Sequence, residues 1–227
     1  MAPCSKPYKE AIARWHFSYQ RTIKNKGKIK TASHPYMDRV LIITTSKNII
    51  WRLSMQHTLN TLSENIRAQS IELLNKQLAS AIDLHAQVKQ AHWNVRGPGF
   101  IGAHELFDKV AEVVEDTSDK IAERIGGLGG TAQGTLAVAA KHSFLVPYNL
   151  GIADVSQHIF AVASSLAAFS QALRQSITQT SGCGDDVTAD LLTQTAREVE
   201  QQLWFVESHL KPTHVGQQSE QKSEQAA

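Results

Sequence analysis

The chain has 227 residues, 42% of them hydrophobic, and a formal net charge of +2, enough for one well-buried core with length to spare. No apolar run approaches the roughly 18–20 residues that a membrane-spanning helix needs. Cys4 and Cys183, the two cysteines, make neither a disulfide framework nor a metal knuckle, which fits a reducing cytoplasm.

Charge is divided unevenly along the chain. Residues 1–54 hold eleven Lys and Arg against Glu10 and Asp38, a balance of +9, and the remainder holds twelve against nineteen acids, a balance of −7. A basic arm on an acidic body points to a polyanion for the arm and to cations for the body. The arm lacks sustained periodicity. Lys24, Lys26, Lys28 and Lys30 form a solvated basic loop, and Val40–Thr44 is at most an isolated short strand. Met55 opens a different kind of sequence and is an alternative start, which makes 1–54 a basic extension that the rest does not need in order to fold. A cleaved targeting peptide fits poorly, because no small-residue cleavage site follows an apolar core.

Four long helices are predicted next. The first covers 64–95, with Leu74, Leu78, Ala81, His85, Val88 and His92 in steps of three and four on one face. Arg96-Gly97-Pro98-Gly99 breaks it. The second covers 100–125 and stops at the glycines after Ile125. The third, 154–180, buries Val155, Ile159, Val162, Leu166, Phe169, Leu173 and Ile177. The fourth begins near Asp185 and Asp186, acids suited to a helix N-terminus, and uses Leu192, Val199, Leu203, Val206 and Leu210. A crossover of residues 127–153 separates the second from the third, with a short helix at 135–142. An all-α, ferritin-like four-helix bundle with a long middle connection follows. It occupies 55–212 and leaves 213–227 as a polar, disordered tail.

Chemistry concentrates between His92 and Glu123. His104 and Asp108 lie one helical turn apart, as do Asp119 and Glu123, and the two pairs are equidistant from a midpoint between Val113 and Val114. With His104 at zero on a helical wheel, Asp108, Asp119 and Glu123 fall at about 40°, 60° and 100°, while Leu106, Val110, Val113, Ile121 and Ile125 cluster around 240°. The polar stripe therefore faces away from the helix's own core. Asp108 and Asp119 are roughly 16 Å apart along the axis, too far for one metal centre. Two antiparallel copies crossing near residue 113 bring Asp119 and Glu123 of one beside Asp108 and His104 of the other, giving two identical sites in a symmetric dimer. His92, just before the tight turn, reaches the start of the second helix near His104. Oxygen-rich ligation with some imidazole suits Fe(II) or Mn(II), and the lack of thiolate argues against structural zinc. The competing reading is a solvated helix face, where acid and histidine pairs at this spacing are common. Glu112 and Glu115 share the stripe near the two-fold and face water or cations. His85 reads as a core histidine, and His142, His158, His209 and His214 read as surface residues.

Several stretches resemble the Dps family, the ferritin-like proteins that protect DNA in starved bacterial cells: Lys89-Gln90-Ala91-His92-Trp93-Asn94-Val95-Arg96-Gly97-Pro98, Phe100-Ile101, His104-Glu105-Leu106-Phe107-Asp108, Asp119-Lys120-Ile121-Ala122-Glu123-Arg124 and Leu203-Trp204-Phe205. The resemblance implies that His92, His104 and Asp108 bind iron from one subunit and Asp119 and Glu123 from its two-fold mate, with at most two iron ions per site. It implies a hollow dodecamer that oxidises Fe(II) with hydrogen peroxide, in preference to dioxygen, and stores ferric oxyhydroxide. Trp93 resembles the family's tryptophan beside the site, either a radical quencher or plain packing. Asp186 and Asp190 resemble the acids of an iron-uptake pore, although Val187 stands where some members carry another acid. Family members that bind DNA use mobile lysine-rich tails. Lys24, Lys26, Lys28 and Lys30 are the candidates here, in an arm longer than a typical tail and carrying Trp15 and Phe17; a start at Met55 removes them. A cytoplasmic, nucleoid-associated location goes with the resemblance. The intrachain centre of classical ferritins is disfavoured, since it needs Glu-x-x-His pairs and no Glu here is followed by His at that spacing.

Overall fold

The structure, a computed structural model, describes residues 55–210. Five helices follow in order: α1 (Glu64–Asn94), α2 (Phe100–Gly127), α3 (Leu136–His142), α4 (Val155–Gly182) and α5 (Asp186–Glu207). Each begins within a residue or two of its predicted start, and at three of the five a local side-chain cap fixes it. Ser63 accepts from the Ile66 N–H, Asp154 from Ser156 and Asp185 from Thr188, each satisfying a donor that the first turn leaves free. The basic loop 24–30, the strand at 40–44 and the tail 213–227 lie outside the described residues.

α1 packs mainly on α2 and α4 on α5, and the two hairpins meet through α1–α4 and α2–α5. Leu74, Leu84 and Val88 of α1, Phe107, Val114, Ile121 and Ile125 of α2, Leu166, Phe169 and Leu173 of α4, and Leu192, Val199 and Val206 of α5 are fully buried between them. Each large side chain contributes about 1.5–3 kcal/mol of transfer free energy. Val155, Ile177, Leu203 and Leu210 are only partly buried against this core.

Two predictions for histidines fail. His85 is half-buried, not a core residue, because its position sits at the edge of the α1 stripe. His158, expected at the surface, is 1% exposed. The reason is Tyr148, whose hydroxyl lies 2.7 Å from His158 Nδ1 and gives the ring a partner inside the bundle.

The crossover is pinned to α1 by polar contacts. Gln133 N–H donates to Asn75, Ser143 Oγ to Asp83 at 2.6 Å, and the Phe144 N–H to Ser80 Oγ. Its far end is tied to the α1–α2 turn, where Arg96 N–H donates to the Ala153 carbonyl at 3.1 Å. At its near end Gly129 has φ +82, and a Cβ there would sit 2.7 Å from the Gln56 carbonyl oxygen, so only glycine lets residues 55–62 lie against the end of α2.

Candidate metal centre

Five residues join α1 to α2, and Gly97 (φ 109) and Gly99 (φ 80) take the left-handed conformations that reverse the chain so tightly. The turn sets the last turn of α1 against the first turn of α2. His92 and His104 stack there, ring centroids 3.8 Å apart at 23°. Their hydrogen bonds are reciprocal: His92 Nδ1 donates to the His104 carbonyl and His104 Nδ1 to the His92 carbonyl, each at 2.9 Å. A carbonyl oxygen only accepts, so each Nδ1 carries the hydrogen and each Nε2 keeps a free lone pair. That is the tautomer a metal-binding imidazole needs.

Asp108 lies one turn further along α2. Its Oδ1 accepts from Lys89 Nζ at 2.7 Å and is 3.8 Å from His92 Nδ1. The Lys89 hydrogen bond holds the Asp108 carboxyl below the usual carboxylate range. Lys89 Nζ also lies 6.0 Å from the centre of the Trp93 ring, and Trp93 is 67% exposed. Sequence reasoning missed Lys89. The signal was its place three residues before His92, on the same helical face.

Asp119 and Glu123 lie on the other half of α2, both exposed, and the structure does not bring them to the histidine pair of their own chain. The outer face between the two halves is a groove of about 620 Å³, with Leu78 and Ile82 at its floor and Glu112, Glu115, Asp116 and Asp119 along its rim. Among the described residues no three His, Cys, Asp or Glu side chains are grouped so as to hold a metal ion. One chain thus carries a histidine–carboxylate set and a carboxylate pair at opposite ends of one helix face. Asp186 and Asp190 are exposed at the start of α5.

Residues 71–214 match the ferritin-like domain family. A DNA protection during starvation protein of Agrobacterium fabrum is 38% identical over 154 residues, 68% of this chain and 95% of its own length. The protein of the same name from Mycolicibacterium smegmatis is 36% identical over 168 residues, 72% of this chain and 91% of its own. The chain belongs to the Dps family. A solved structure of Mycobacterium smegmatis Dps superposes with a TM-score of 0.65 at 36% identity, covering 69% of this chain and 94% of that one. The Dps-family bundle therefore accounts for the described helices, and the first 70 residues lie outside the family match.

A second polar cluster sits deeper in the Dps-family bundle. Asp185 is 1% exposed. It accepts from Ser70 Oγ at 2.7 Å, from Arg124 Nη2 at 2.8 Å and from the Thr188 N–H at 3.1 Å, and Arg124 Nε donates to Thr188 Oγ1. Burial pushes its carboxyl up, but the Thr188 and Ser70 hydrogen bonds and the Arg124 charge outweigh that and hold it low. Sequence reasoning saw only the helix cap.

Proposed function

We propose that this protein is a ferroxidase and iron-storage shell whose metal centres are shared between two-fold related chains. His92, His104 and Asp108 come from one chain, and Asp119 and Glu123 from its mate. The observation that carries the reading is the stacked histidine pair. Both rings spend Nδ1 on a backbone carbonyl and keep Nε2 free, at one end of an outward helix face whose other end carries two unengaged carboxylates. Neither Asp119 nor Glu123 takes part in a hydrogen bond or ion pair among the described residues. An isologous pairing of α2 with its copy joins the two half-sets twice.

Fe(II) is the substrate and hydrogen peroxide the preferred oxidant, ahead of dioxygen. Two Fe(II) give one electron each, and one peroxide takes both with two protons to become two waters. Both reactants of hydroxyl-radical formation are consumed together, which protects DNA without a contact to it. Imidazole nitrogen and carboxylate oxygen suit iron at this oxidation level. Asp108, freed from Lys89, and the partner's exposed acids supply negative charge for the ferric product. Asp186 and Asp190 line the uptake route, Trp93 takes up stray oxidising equivalents, and the assembled form is a cytoplasmic dodecamer.

Anaerobic Fe(II) loading followed by peroxide should yield ferric absorbance at one peroxide per two irons. His92→Ala and Asp119→Ala should each slow the oxidation at least about 100-fold, since partners of ligands alone are worth 10–100-fold. Co-assembly of the two variants decides whether the centre is shared. Random pairing should restore about a quarter of the sites, because one site in each mixed dimer is intact. A centre within one chain would recover nothing.

A second reading, DNA compaction through the basic arm, is favoured by the +9 balance of residues 1–54. A gel shift with the full chain should weaken steeply from low to high salt and vanish in a chain beginning at Met55. Equal binding by both versions removes Lys24, Lys26, Lys28 and Lys30 from the account.

A further inference from the structure

Tyr148 is the sole tyrosine of the described residues; Tyr8, Tyr19 and Tyr36 precede them. It leaves the crossover to place its hydroxyl 2.7 Å from Nδ1 of His158 on the first turns of α4. The two rings are nearly parallel, with centroids 6.1 Å apart at 17°. His158 is 1% exposed, and its Nε2 is buried without a hydrogen-bond partner. The backbone of Asn94, the residue after Trp93, lies beside the ring and favours its charged form. The Arg96–Ala153 backbone bond fixes this part of the crossover behind the same turn. On its other side Tyr148 lines an open groove of about 740 Å³ with Gln87, Val146, Phe160 and Leu210. A phenol bonded to a buried neutral imidazole, which itself lies against the residue after the exposed indole of Trp93, has no part in holding metal.

We propose that Tyr148 and His158 form a redox-active tyrosine–histidine pair that disposes of single oxidising equivalents. A one-electron oxidant of the hydroxyl-radical class, or the Trp93 ring that such an oxidant has already oxidised, takes one electron from the Tyr148 phenol. The oxidant leaves as hydroxide, or the indole is restored. As the electron departs the O–H bond breaks, and the proton crosses 2.7 Å to His158 Nδ1, leaving a neutral phenoxyl and an imidazolium. A thiol-class one-electron reductant, reaching Tyr148 through the groove, returns the electron, and His158 returns the proton. The imidazole is needed because an oxidised phenol is a strong acid and must lose its proton as it loses its electron. The backbone of Asn94 beside the ring favours its charged form, so the imidazolium is not formed against purely apolar surroundings. The pair rests on the proposed iron chemistry only for the origin of the oxidant.

The test uses the iron-free full chain, so it does not depend on the metal centre. With Tyr8, Tyr19 and Tyr36 replaced by phenylalanine, flash oxidation by a ruthenium tris-bipyridine photosensitiser and persulfate should give a tyrosyl signal in electron paramagnetic resonance. The rate should fall about twofold in deuterium oxide. Adding Tyr148→Phe should abolish the signal. His158→Gln, which keeps an acceptor for the phenol but is no base, should slow formation at least tenfold and erase the isotope effect, with the helical circular dichroism unchanged. The proposal is overturned if no tyrosyl signal forms in the single-tyrosine chain, or if a folded His158→Gln chain oxidises as fast as its parent with the same isotope effect. If these signatures hold while Fe(II) oxidation is absent, the iron reading fails and the redox pair stands.

Discussion

The Asp185 cluster and the α2 outer face are both built from charged side chains on the same helices, yet the chain treats them in opposite ways. Asp185 is sealed in, with Ser70, Arg124 and Thr188 meeting its oxygens. Asp119 and Glu123, on the helix that also supplies Arg124, stand in solvent. A buried carboxylate without partners costs several kcal/mol, so burying Asp185 is tolerable only because its partners meet it. An exposed carboxylate costs nothing and stays available to whatever binds next. Charges that a chain satisfies by itself hold the fold, and charges that it leaves open stay free to bind.

The largest way to break that contrast is Asp185→Ala. It leaves Arg124 half-sheltered and unpaired, and should cost about 3–5 kcal/mol in urea unfolding. Asp119→Ala and Glu123→Ala should change the same midpoint by less than about 0.5 kcal/mol, while Fe(II) oxidation falls by the 100-fold proposed above. A large stability loss from Asp119→Ala would erase the distinction.

Acid should sharpen it. The Asp185 carboxyl is held below its ordinary value, so its stabilisation is complete above about pH 4 and is lost as pH falls through the lower folded value. His158 is also held below its ordinary value, burial being the main cause. Its neutral form is favoured on folding, so stability is full above about pH 6.5 and begins to drop below it. The urea midpoint should therefore fall in two stages on acidification. His158→Gln should flatten the first stage and leave the second, and an unchanged first stage would assign it to other groups. A small effect on stability alone belongs to Lys120, which joins Asp116 and Glu198 at the surface. Lys120→Ala should cost about 0.2–1 kcal/mol, and less in high salt.

Much of this was legible in the chain because the signals are local and periodic. Apolar steps of three and four marked α1, α2, α4 and α5, the Gly-Pro-Gly turn marked their first junction, and the equal spacing of His104/Asp108 and Asp119/Glu123 marked the outward face. The histidine stack was only half legible. Its residues were named from position, but the reciprocal Nδ1 bonds depend on the depth at which two backbones meet. Asp185, Lys89 and the Tyr148–His158 pair were not legible. Ser70 and Asp185 are 115 residues apart, and Lys89 and Asp108 are 19 apart, so no window along the chain connects them. His158 looked like a surface residue because its partner is a tyrosine ten positions back in an irregular crossover, and no periodic template covers such a segment.

The reciprocal bonds between His92 and His104 also bear on entropy. An exposed imidazole samples several rotamers, and freezing it costs about 0.5–1.5 kcal/mol whenever it is finally held. Here each ring is held by the other's backbone and by the stack of 3.8 Å. That cost is met as α1 and α2 dock, within the folding of a single chain. Two held imidazoles are thus present in the single folded chain, and the proposed shared centre leaves only the carboxylates to be ordered when it forms.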